Sequence, residues 1–271
     1  MLFLMFSKRL GELAIEEVGE AVSKLGLDGV DLTVRPSGHV PPEEAGIRLP
    51  IAVGTLKSYG LEVPMITTAI TGADEPHAED IFSAAGDSGV RYLKLGYWRY
   101  EGFGNVYRQL SEVHEKLIGI QKLAADNGVT AAVHVHSGDC MSGTADMVSR
   151  MLEGFDPDQV AAYIDPGHMV IEGGKSGWKL GMDLLRYAIR VVAVKDFGWQ
   201  RDPADPKKWR AVLMPLSEGM VPWPEVFRYL KEISFDGPVS LHSEYEGMSP
   251  EQILSQTAKD FSYLKAVIST V

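Results

Sequence analysis

The chain has 271 residues, of which 45% are hydrophobic and 23% are charged, as in a soluble globular enzyme. Its 26 basic and 37 acidic residues give a formal net charge of −11, which argues against a nucleic-acid or anionic-membrane partner, since both require a basic face. The single cysteine, Cys140, excludes a disulfide framework and a cysteine-rich metal site, and predicts a protein of the reducing cytoplasm.

The N-terminal sequence MLFLMFSKRL predicts a β-strand rather than a targeting segment. Its apolar run is short, no basic region precedes it, and no small-residue cleavage site follows it. Nowhere does the chain approach the roughly 18 consecutive apolar residues of a membrane span. We therefore expect a cytoplasmic protein that does not interact with membranes.

Short runs rich in β-branched residues then recur along the chain at the interval that a β-strand followed by a helix requires. Eight strands are predicted: Leu2–Phe6, Gly29–Val34, Pro64–Ile70, Arg91–Gly96, Thr130–His136, Val160–Asp165, Val191–Phe197 and Pro238–Tyr245. The stretch 200–217 contains Asp202-Pro-Ala-Asp-Pro-Lys-Lys and is predicted to be a long loop and a potential lid.

The windows between these strands carry helical spacing. Apolar residues form one stripe from Leu10 to Leu25, another from Val106 to Ala124, and a third from Leu254 to Ile268, after a Ser249-Pro-Glu start signal. Eight such repeats without a linker predict an α/β fold, with residues 1–271 forming a single parallel (β/α)₈ TIM barrel. A doubly wound open sheet is the alternative, but Phe6-Ser-Lys-Arg9 is not the glycine turn that it requires.

Polar residues gather where the predicted strands end, which is where the active sites of barrels lie. Side chains alternate along a strand, so His134 and His136 share a face, as do His242 and Glu244. We expect these groups to converge at the mouth of the barrel together with residues from the ends of neighbouring strands: Asp31, Arg35, His39, Asp165, His168 and Lys195. His77 and His114 lie in helical windows and are expected at the surface.

Imidazole and carboxylate groups are ligands that Zn²⁺, Mn²⁺ or Co²⁺ prefers, so this cluster is a candidate metal site. Structural interpretations remain open beside it. A lone inward histidine is more often a hydrogen-bonded core group, Asp165 can simply cap the following segment, and Lys195 can be an ionic partner of Asp165 or Glu244. Asp31 can pair with Arg35, and Cys140 is expected to be inert because no base accompanies it.

The order of several short motifs makes the whole chain resemble the sugar phosphate isomerase/epimerase family of xylose isomerase-like barrels. The motifs are Gly29-Val-Asp-Leu followed by Gly38-His39, His136-Ser-Gly138, Asp165-Pro-Gly-His168, Val194-Lys-Asp-Phe197, Pro215-Leu-Ser-Glu-Gly219 and Ser240-Leu-His-Ser-Glu-Tyr245. The resemblance implies a divalent metal, such as Mn, Co, Zn or Mg, at the barrel mouth. The metal ligands that it implies here are His134, His136, Asp165, His168 and Glu244.

Two positions depart from the family pattern. His134 stands where the strand-five glutamate is usual, and Ala193 stands where a strand-seven histidine is usual. The first change exchanges one ligand for another, and the second removes a ligand. Three or four potential ligands remain. The sequence is therefore compatible with an intact metal site and with one that is weakened, altered in its preferred ion, or absent.

The predicted function is a metal-dependent isomerase, epimerase or dehydratase that abstracts a proton α to a carbonyl of a sugar, keto-sugar or polyol-derived substrate. Glu244 or His136 is the predicted base, and Lys195 stabilises the oxyanion or relays the proton. Four further residues are expected to bind the substrate: Arg35 through a phosphate or carboxylate, Trp199 by stacking on a sugar ring, and His39 and His242. Glu218 is a candidate to close over the pocket.

Two alternative functions are also compatible with parts of the sequence. A sugar- or metabolite-binding barrel without catalysis is favoured by the loss of a ligand at Ala193. Endonuclease IV-like cleavage of abasic DNA fits the Asp165 and His168 spacing, but not the charge of −11 or the absence of histidines in strands three and four. The resemblance also suggests a homodimer, with Trp178 and Trp223 as candidate exposed interface residues.

Overall fold

In the computed structural model, which describes residues 1–271, eight parallel strands close into a barrel. The barrel strands are β1 (Leu2–Phe6), β2 (Gly29–Thr33), β3 (Glu62–Thr67), β4 (Tyr92–Lys94), β5 (Thr130–His134), β6 (Val160–Ile164), β7 (Ile189–Val194) and β10 (Pro238–Leu241), and two further strands, described below, form a separate hairpin between β7 and β10. The spatial order around the barrel is β1-β10-β7-β6-β5-β4-β3-β2. All eight predicted strands and the predicted TIM barrel are thus confirmed, and the closed sheet rules out the doubly wound alternative.

Eight α-helices accompany the strands. They are α1 (Ile15–Leu25), α2 (Ala45–Ser58), α3 (Ala78–Asp87), α4 (Val106–Asp126), α5 (Ala145–Met151), α6 (Pro166–Leu185), α7 (Trp223–Glu232) and α8 (Pro250–Ile268). Two short 3₁₀ helices, Ser7–Leu10 and Pro42–Glu44, follow β1 and precede α2. None of the helices is both long and apolar enough to cross a membrane.

Alternation along the strands separates two layers of packing. Val133 and Val135 belong to the main core between the strands and helices, as their parity predicts. The opposite faces fill the barrel interior with a second, smaller cluster: Leu4, Met65, Tyr92, Ala132, Tyr163, Val191 and Ala193. The barrel is therefore packed shut below its mouth, and polar side chains at the strand ends stand on an apolar floor.

Two strand-to-helix connections show why the sequence places polar groups at this mouth. Asp165 directly follows β6 and is the N-cap of α6, where its Oδ1 accepts the backbone N–H of His168 at 3.2 Å. Ser249 caps α8 in the same way, and Gln252 completes a capping box. The capping interpretation of Asp165 is therefore correct, and it leaves the other carboxylate oxygen free to face the barrel.

The stretch 200–217 differs from the predicted loop, because the chain forms an antiparallel hairpin here. Strands β8 (Asp196–Arg201) and β9 (Trp209–Met214) pair, with Trp199 opposite Ala211. The sequence of β9, Trp-Arg-Ala-Val-Leu-Met, contains residues suited to a half-buried strand. The proline-rich segment forms only the turn of the hairpin.

The two tryptophans expected at an interface are buried instead. Trp178 is 3% exposed on α6, and Trp223 is fully buried at the start of α7. The indole Nε1 of Trp223 donates to Oδ2 of Asp196 at 2.9 Å, so its polar edge is satisfied inside the molecule. Neither side chain is available as a surface for a second copy of the chain.

Candidate functional site at the barrel mouth

Asp165 is the hub of the polar cluster, because three cationic or imidazole nitrogens surround one of its oxygens. Its Oδ2 lies 3.2 Å from Nζ of Lys195, 3.3 Å from Nε2 of His134 and 3.7 Å from Nε2 of His168. The carboxylate is fully buried. Burial by itself would raise the pKa of Asp165, but the ammonium of Lys195 and the imidazole of His168 outweigh it, so the pKa is lowered.

His134 has partners for both of its ring nitrogens. Nε2 faces Asp165, and Nδ1 lies 2.8 Å from the hydroxyl of Tyr97. Burial, reinforced by His136 and Lys195, holds the pKa of His134 well below its usual value, so the ring is neutral. The partners assign the proton to Nε2, which donates to Asp165, while Nδ1 accepts from Tyr97.

His136 and His168 pack against each other, with ring centroids 3.9 Å apart and ring planes tilted by 44°. Nδ1 of His136 lies 2.8 Å from the carbonyl oxygen of Ser137, which can only accept, so Nδ1 carries the proton and Nε2 presents a lone pair. Nδ1 of His168 is bonded to the Ser137 hydroxyl at 2.6 Å, and its buried Nε2 has no hydrogen-bond partner. Burial lowers the pKa of His136 to about 4 and that of His168 well below its usual value.

Glu244 is the second carboxylate of the cluster. Its Oε2 lies 3.3 Å from Nζ of Lys195, and its Oε1 forms an ion pair with Lys8, from the 3₁₀ helix after β1. Burial opposes ionisation, but the His242 ring, 3.6 Å away, and the Lys195 ammonium outweigh it and hold the pKa of Glu244 well below its usual value. Glu244 is therefore ionised at neutral pH.

His242 connects this cluster to the floor of the barrel. Its Nε2 is bonded to the hydroxyl of Tyr163 at 2.8 Å, and its ring stacks on Phe6 at 4.2 Å. Asp31 lies beside it but accepts hydrogen bonds from Thr67 and Ser240, both at 2.8 Å, rather than from Arg35. The interpretation that Asp31 pairs with Arg35 is therefore wrong, because the hydrogen-bond partners of this carboxylate are the two buried hydroxyls.

A cavity of about 550 Å³ opens over the cluster. Its walls include His136, His168, Lys195 and Glu244 from the strand ends, together with Phe197 and Arg210 from the β8–β9 hairpin. A larger groove of about 680 Å³ lies between α5 and α6, but none of the clustered catalytic candidates lines it. The cavity at the barrel mouth therefore combines room for a small ligand with the candidate catalytic residues.

The remaining predicted binding residues lie apart from this cluster. His39 is held within its loop, with Nδ1 3.2 Å from the Thr33 hydroxyl and Nε2 3.1 Å from the carbonyl of Leu10. Both of its nitrogens are occupied, so the ring positions the loop. Trp199 is 43% exposed on the hairpin.

Cys140 donates to the carbonyl of His136 at 3.0 Å, and burial raises the pKa of its thiol, in keeping with an inert side chain.

Arg35 and Lys94 form a second, purely cationic feature near the mouth. Nε of Arg35 is buried without a partner. Lys94 is 4% exposed, and its ammonium lies 3.6 Å from the ring centroid of Tyr97, with no carboxylate within ion-pair distance. Burial and the nearby Arg35 lower the pKa of Lys94 to about 7.

Sequence reasoning missed Lys8, Lys94, Tyr97 and Tyr163 as members of the site. Inward parity marks Lys94 and Tyr163, because each is two residues from an inward neighbour on its strand. Lys8 and Tyr97 lie outside the strands, and each pairs with a residue far away in sequence: Lys8 with Glu244, 236 positions on, and Tyr97 with His134, 37 positions on. No local sequence pattern predicts such contacts.

The model of one protein family matches residues 20–266, and its description is xylose isomerase-like TIM barrel. The chain belongs to this family. The match covers most of the chain and includes seven of the eight barrel strands. No curated protein sequence is similar enough to the chain to count as a match.

Solved structures of similar fold cover almost the whole of both chains. The 3-keto-D-glucoside 4-epimerase YcjR from E. coli has a TM-score of 0.74 at 14% identity and covers 98% of this chain and 99% of its own. The probable 3-DHS dehydratase AsbF from Bacillus anthracis has a TM-score of 0.72 at 14% identity, with coverage of 97% and 99%. A xylose isomerase-like protein from Mycobacterium smegmatis, solved in complex with magnesium, has a TM-score of 0.74 at 17% identity, with coverage of 99% and 97%.

The metal ligands implied by the family come together here, but Asp165, His134 and Glu244 already have partners that a divalent ion would have to displace. Among these ligands, only the Nε2 atoms of His136 and His168 are without a hydrogen-bond partner. Lys195 and the Nε2–H of His134 both face Oδ2 of Asp165, and Tyr97 occupies the free lone pair of His134. Glu244 is paired with two ammonium groups. A divalent ion needs deprotonated donors that converge on it, so this arrangement does not fit one.

Proposed function

We propose that this barrel is a sugar-modifying enzyme that moves a proton α to the carbonyl of a small hydroxycarbonyl substrate. The observation that carries the proposal is the cavity in which a neutral imidazole, His136, stands beside an ammonium, Lys195, and an ionised carboxylate, Glu244. Isomerisation, epimerisation and dehydration all begin with this proton transfer. The epimerase and dehydratase activities named for two structural neighbours are consistent with it.

In this proposal His136 is the general base. Its Nε2 lone pair faces away from the Ser137 carbonyl that fixes the tautomer, and its lowered pKa, about 4, keeps it unprotonated at neutral pH. As it takes the α-proton, the electron pair of the C–H bond forms an enediolate and the negative charge moves to the former carbonyl oxygen. The ammonium of Lys195 stabilises that oxygen.

Glu244 serves two purposes in the same site. Its carboxylate, 3.3 Å from Nζ of Lys195, forms an ion pair with that side chain and holds it beside the cavity. It also accepts a hydrogen bond from the substrate hydroxyl beside the carbonyl and relays its proton when the double bond shifts. The unpartnered nitrogens of His168 and His242 provide further hydrogen bonds to substrate oxygens.

The cations outside the cluster suit a substrate with an anionic group. Arg35 and Lys94 have no carboxylate partner in the protein, so a phosphate or carboxylate of the substrate would neutralise them. Trp199, on the exposed hairpin, offers a stacking face for a sugar ring. His39 is left out of this proposal because both of its nitrogens are occupied.

The proposal is tested by hydrogen exchange at carbon. Keto-sugars, their phosphates and sugar acids are incubated with the protein in D₂O, and deuterium at the α-carbon is followed by NMR. His136→Gln should slow exchange by roughly 10²–10⁴-fold, the usual contribution of a general base. His77→Asn, which changes an exposed histidine outside the site, should leave the rate unchanged.

A metabolite-binding barrel without catalysis is the second candidate. The observation that favours it is the pairing of Glu244 with both Lys8 and Lys195, which leaves little of its basicity free. Stoichiometric binding of a sugar without exchange, and with equal affinity in His136→Gln, would support this candidate and contradict the enzymatic proposal.

A further inference from the structure

The ammonium of Lys195 lies between the two carboxylates expected to hold a metal. Its Nζ is 3.2 Å from Oδ2 of Asp165 and 3.3 Å from Oε2 of Glu244, and the residue is only 4% exposed. Asp165 directly follows β6, and Glu244 lies beyond the end of β10. One buried cation thus bridges carboxylates that come from two separate parts of the barrel wall.

The charges of this group already balance. Two carboxylates, Asp165 and Glu244, face two ammonium groups, Lys195 and Lys8. A divalent ion placed among them would leave two uncompensated positive charges, unless a lysine lost its proton or moved away. Such an excess is costly in a buried site of low dielectric.

The position that usually supplies a further ligand has none to offer. Ala193 is fully buried and contributes a methyl group to the apolar floor beside Val191 and Tyr163. Lys195, two residues further along and on the same face, reaches the carboxylates above that floor. The loss of a metal-binding side chain and the presence of a resident cation therefore occur on the same strand end.

We infer that Lys195 is the built-in cation of this site and stands in place of a divalent metal ion. Its ammonium balances Asp165 and Glu244 and directs an N–H at the oxygen of a bound carbonyl. The second of these roles rests on the proposed function, whereas the first does not. The site would therefore take carbonyl substrates by a hydrogen bond from nitrogen rather than by coordination.

The test measures the affinity of Mn²⁺ with and without this ammonium. Wild type, Lys195→Ala and the control Lys179→Ala, which removes a surface ion pair with Glu225, are treated with chelator and titrated calorimetrically. The same titration is repeated with Zn²⁺. The expected result is that Lys195→Ala binds Mn²⁺ at least ~10-fold more tightly than wild type and the control, because two carboxylates are released for the ion.

Lys195→Gln provides the second variant if Lys195→Ala does not fold, since an amide can still bridge the two carboxylates by hydrogen bonds. Equal affinity in wild type and the folded variant, whether tight or undetectable, would overturn the inference. So would tighter binding in wild type than in the variant. The titration needs no substrate, so a failure of the exchange assay leaves its result intact, and each proposal can fail alone.

Discussion

Asp196 belongs to the Lys195-Asp196 motif at the barrel mouth, but its role is structural rather than catalytic. It follows Lys195 directly, yet its carboxylate turns away from the cavity and accepts the N–H groups of Phe197, Met220 and Val221 and the indole of Trp223. Gly219 lies against it so closely that an added Cβ would be 2.0 Å from the carboxyl carbon. Asp196 therefore fixes the start of the hairpin, and with it the direction of Lys195.

Replacing Asp196 by alanine should cost the protein roughly 3 kcal/mol or more in unfolding free energy, because several buried donors would lose their acceptor. Urea unfolding measures this loss. Asp205→Ala is the matched control, since Asp205 accepts one N–H, from Lys207 at 3.1 Å, in the exposed turn of the hairpin. A loss no larger than that of the control would contradict the structural role assigned to Asp196.

The β8–β9 hairpin is the element that turns a barrel mouth into a cavity. The strands leave the barrel after Val194, and the hairpin places Phe197 and Arg210 in the wall above His168 and Lys195. The outer halves of both strands are exposed, so they add little to the core. The element therefore shapes the site more than it stabilises the fold.

A shortened hairpin separates these two contributions. Replacing residues 200–210 by Asn-Gly joins Trp199 to Ala211 through a two-residue turn that suits the twist of the strands. We expect the melting temperature to change by less than about 4 °C, equivalent to about 1 kcal/mol. The deletion also removes Arg210 from the cavity wall. For a substrate found by hydrogen exchange, KM should therefore rise roughly tenfold or more, because a hydrogen bond from a charged side chain to the substrate contributes about 1.5 kcal/mol.

Arg201→Gln is the control for the shortened hairpin, since Arg201 packs on Trp209 outside the cavity wall. Its KM should match that of wild type. An unchanged KM in the shortened protein would show that the hairpin does not contribute to substrate binding.

At the scale of the whole molecule, burial of neutral imidazoles makes stability depend on pH. The pKa values of His39, His134, His136 and His168 are lowered, chiefly by burial. As the pH falls below about 6.5, the unfolded chain binds protons at these histidines and the folded chain does not, so stability decreases. Three buried groups act in the opposite sense, because the folded state takes up their protons as the pH falls from 7: burial raises the pKa of Asp196 to about 6 and that of Asp260 above its usual value, and it lowers the pKa of Lys94 to about 7.

The four histidines outweigh these three groups, so the free energy of unfolding should fall by at least about 1 kcal/mol between pH 7 and pH 5. Calorimetry at constant ionic strength measures the corresponding loss in melting temperature. His168→Asn should reduce the slope, whereas His77→Asn, at an exposed position, should keep it. Stability that is constant or higher at pH 5 would contradict the assignment of neutral buried rings.

The barrel and many of the groups at its mouth follow from the sequence alone. Short β-branched runs between helical windows predicted all eight strands, because burial on both faces leaves a local signature of apolar residues. Side-chain alternation placed His134 and His136 on one face of their strand, and His242 and Glu244 on one face of theirs. The boundaries differ by a few residues, and one predicted loop is a hairpin, since cross-strand pairing in an exposed segment has a weak local pattern.

The hydrogen bonds and ion pairs that these groups form depend on the tertiary structure. Distances between segments far apart in sequence decide three such contacts. They set the pairing of Lys195 with two carboxylates, the hydrogen bond from Tyr97 to His134, and the burial of Trp223 against Asp196. The physical reason is that a residue type specifies its donors, acceptors and charge, whereas a hydrogen bond or ion pair forms only within about 3–4 Å. Closure of the barrel, rather than the order of residues along the chain, sets those separations.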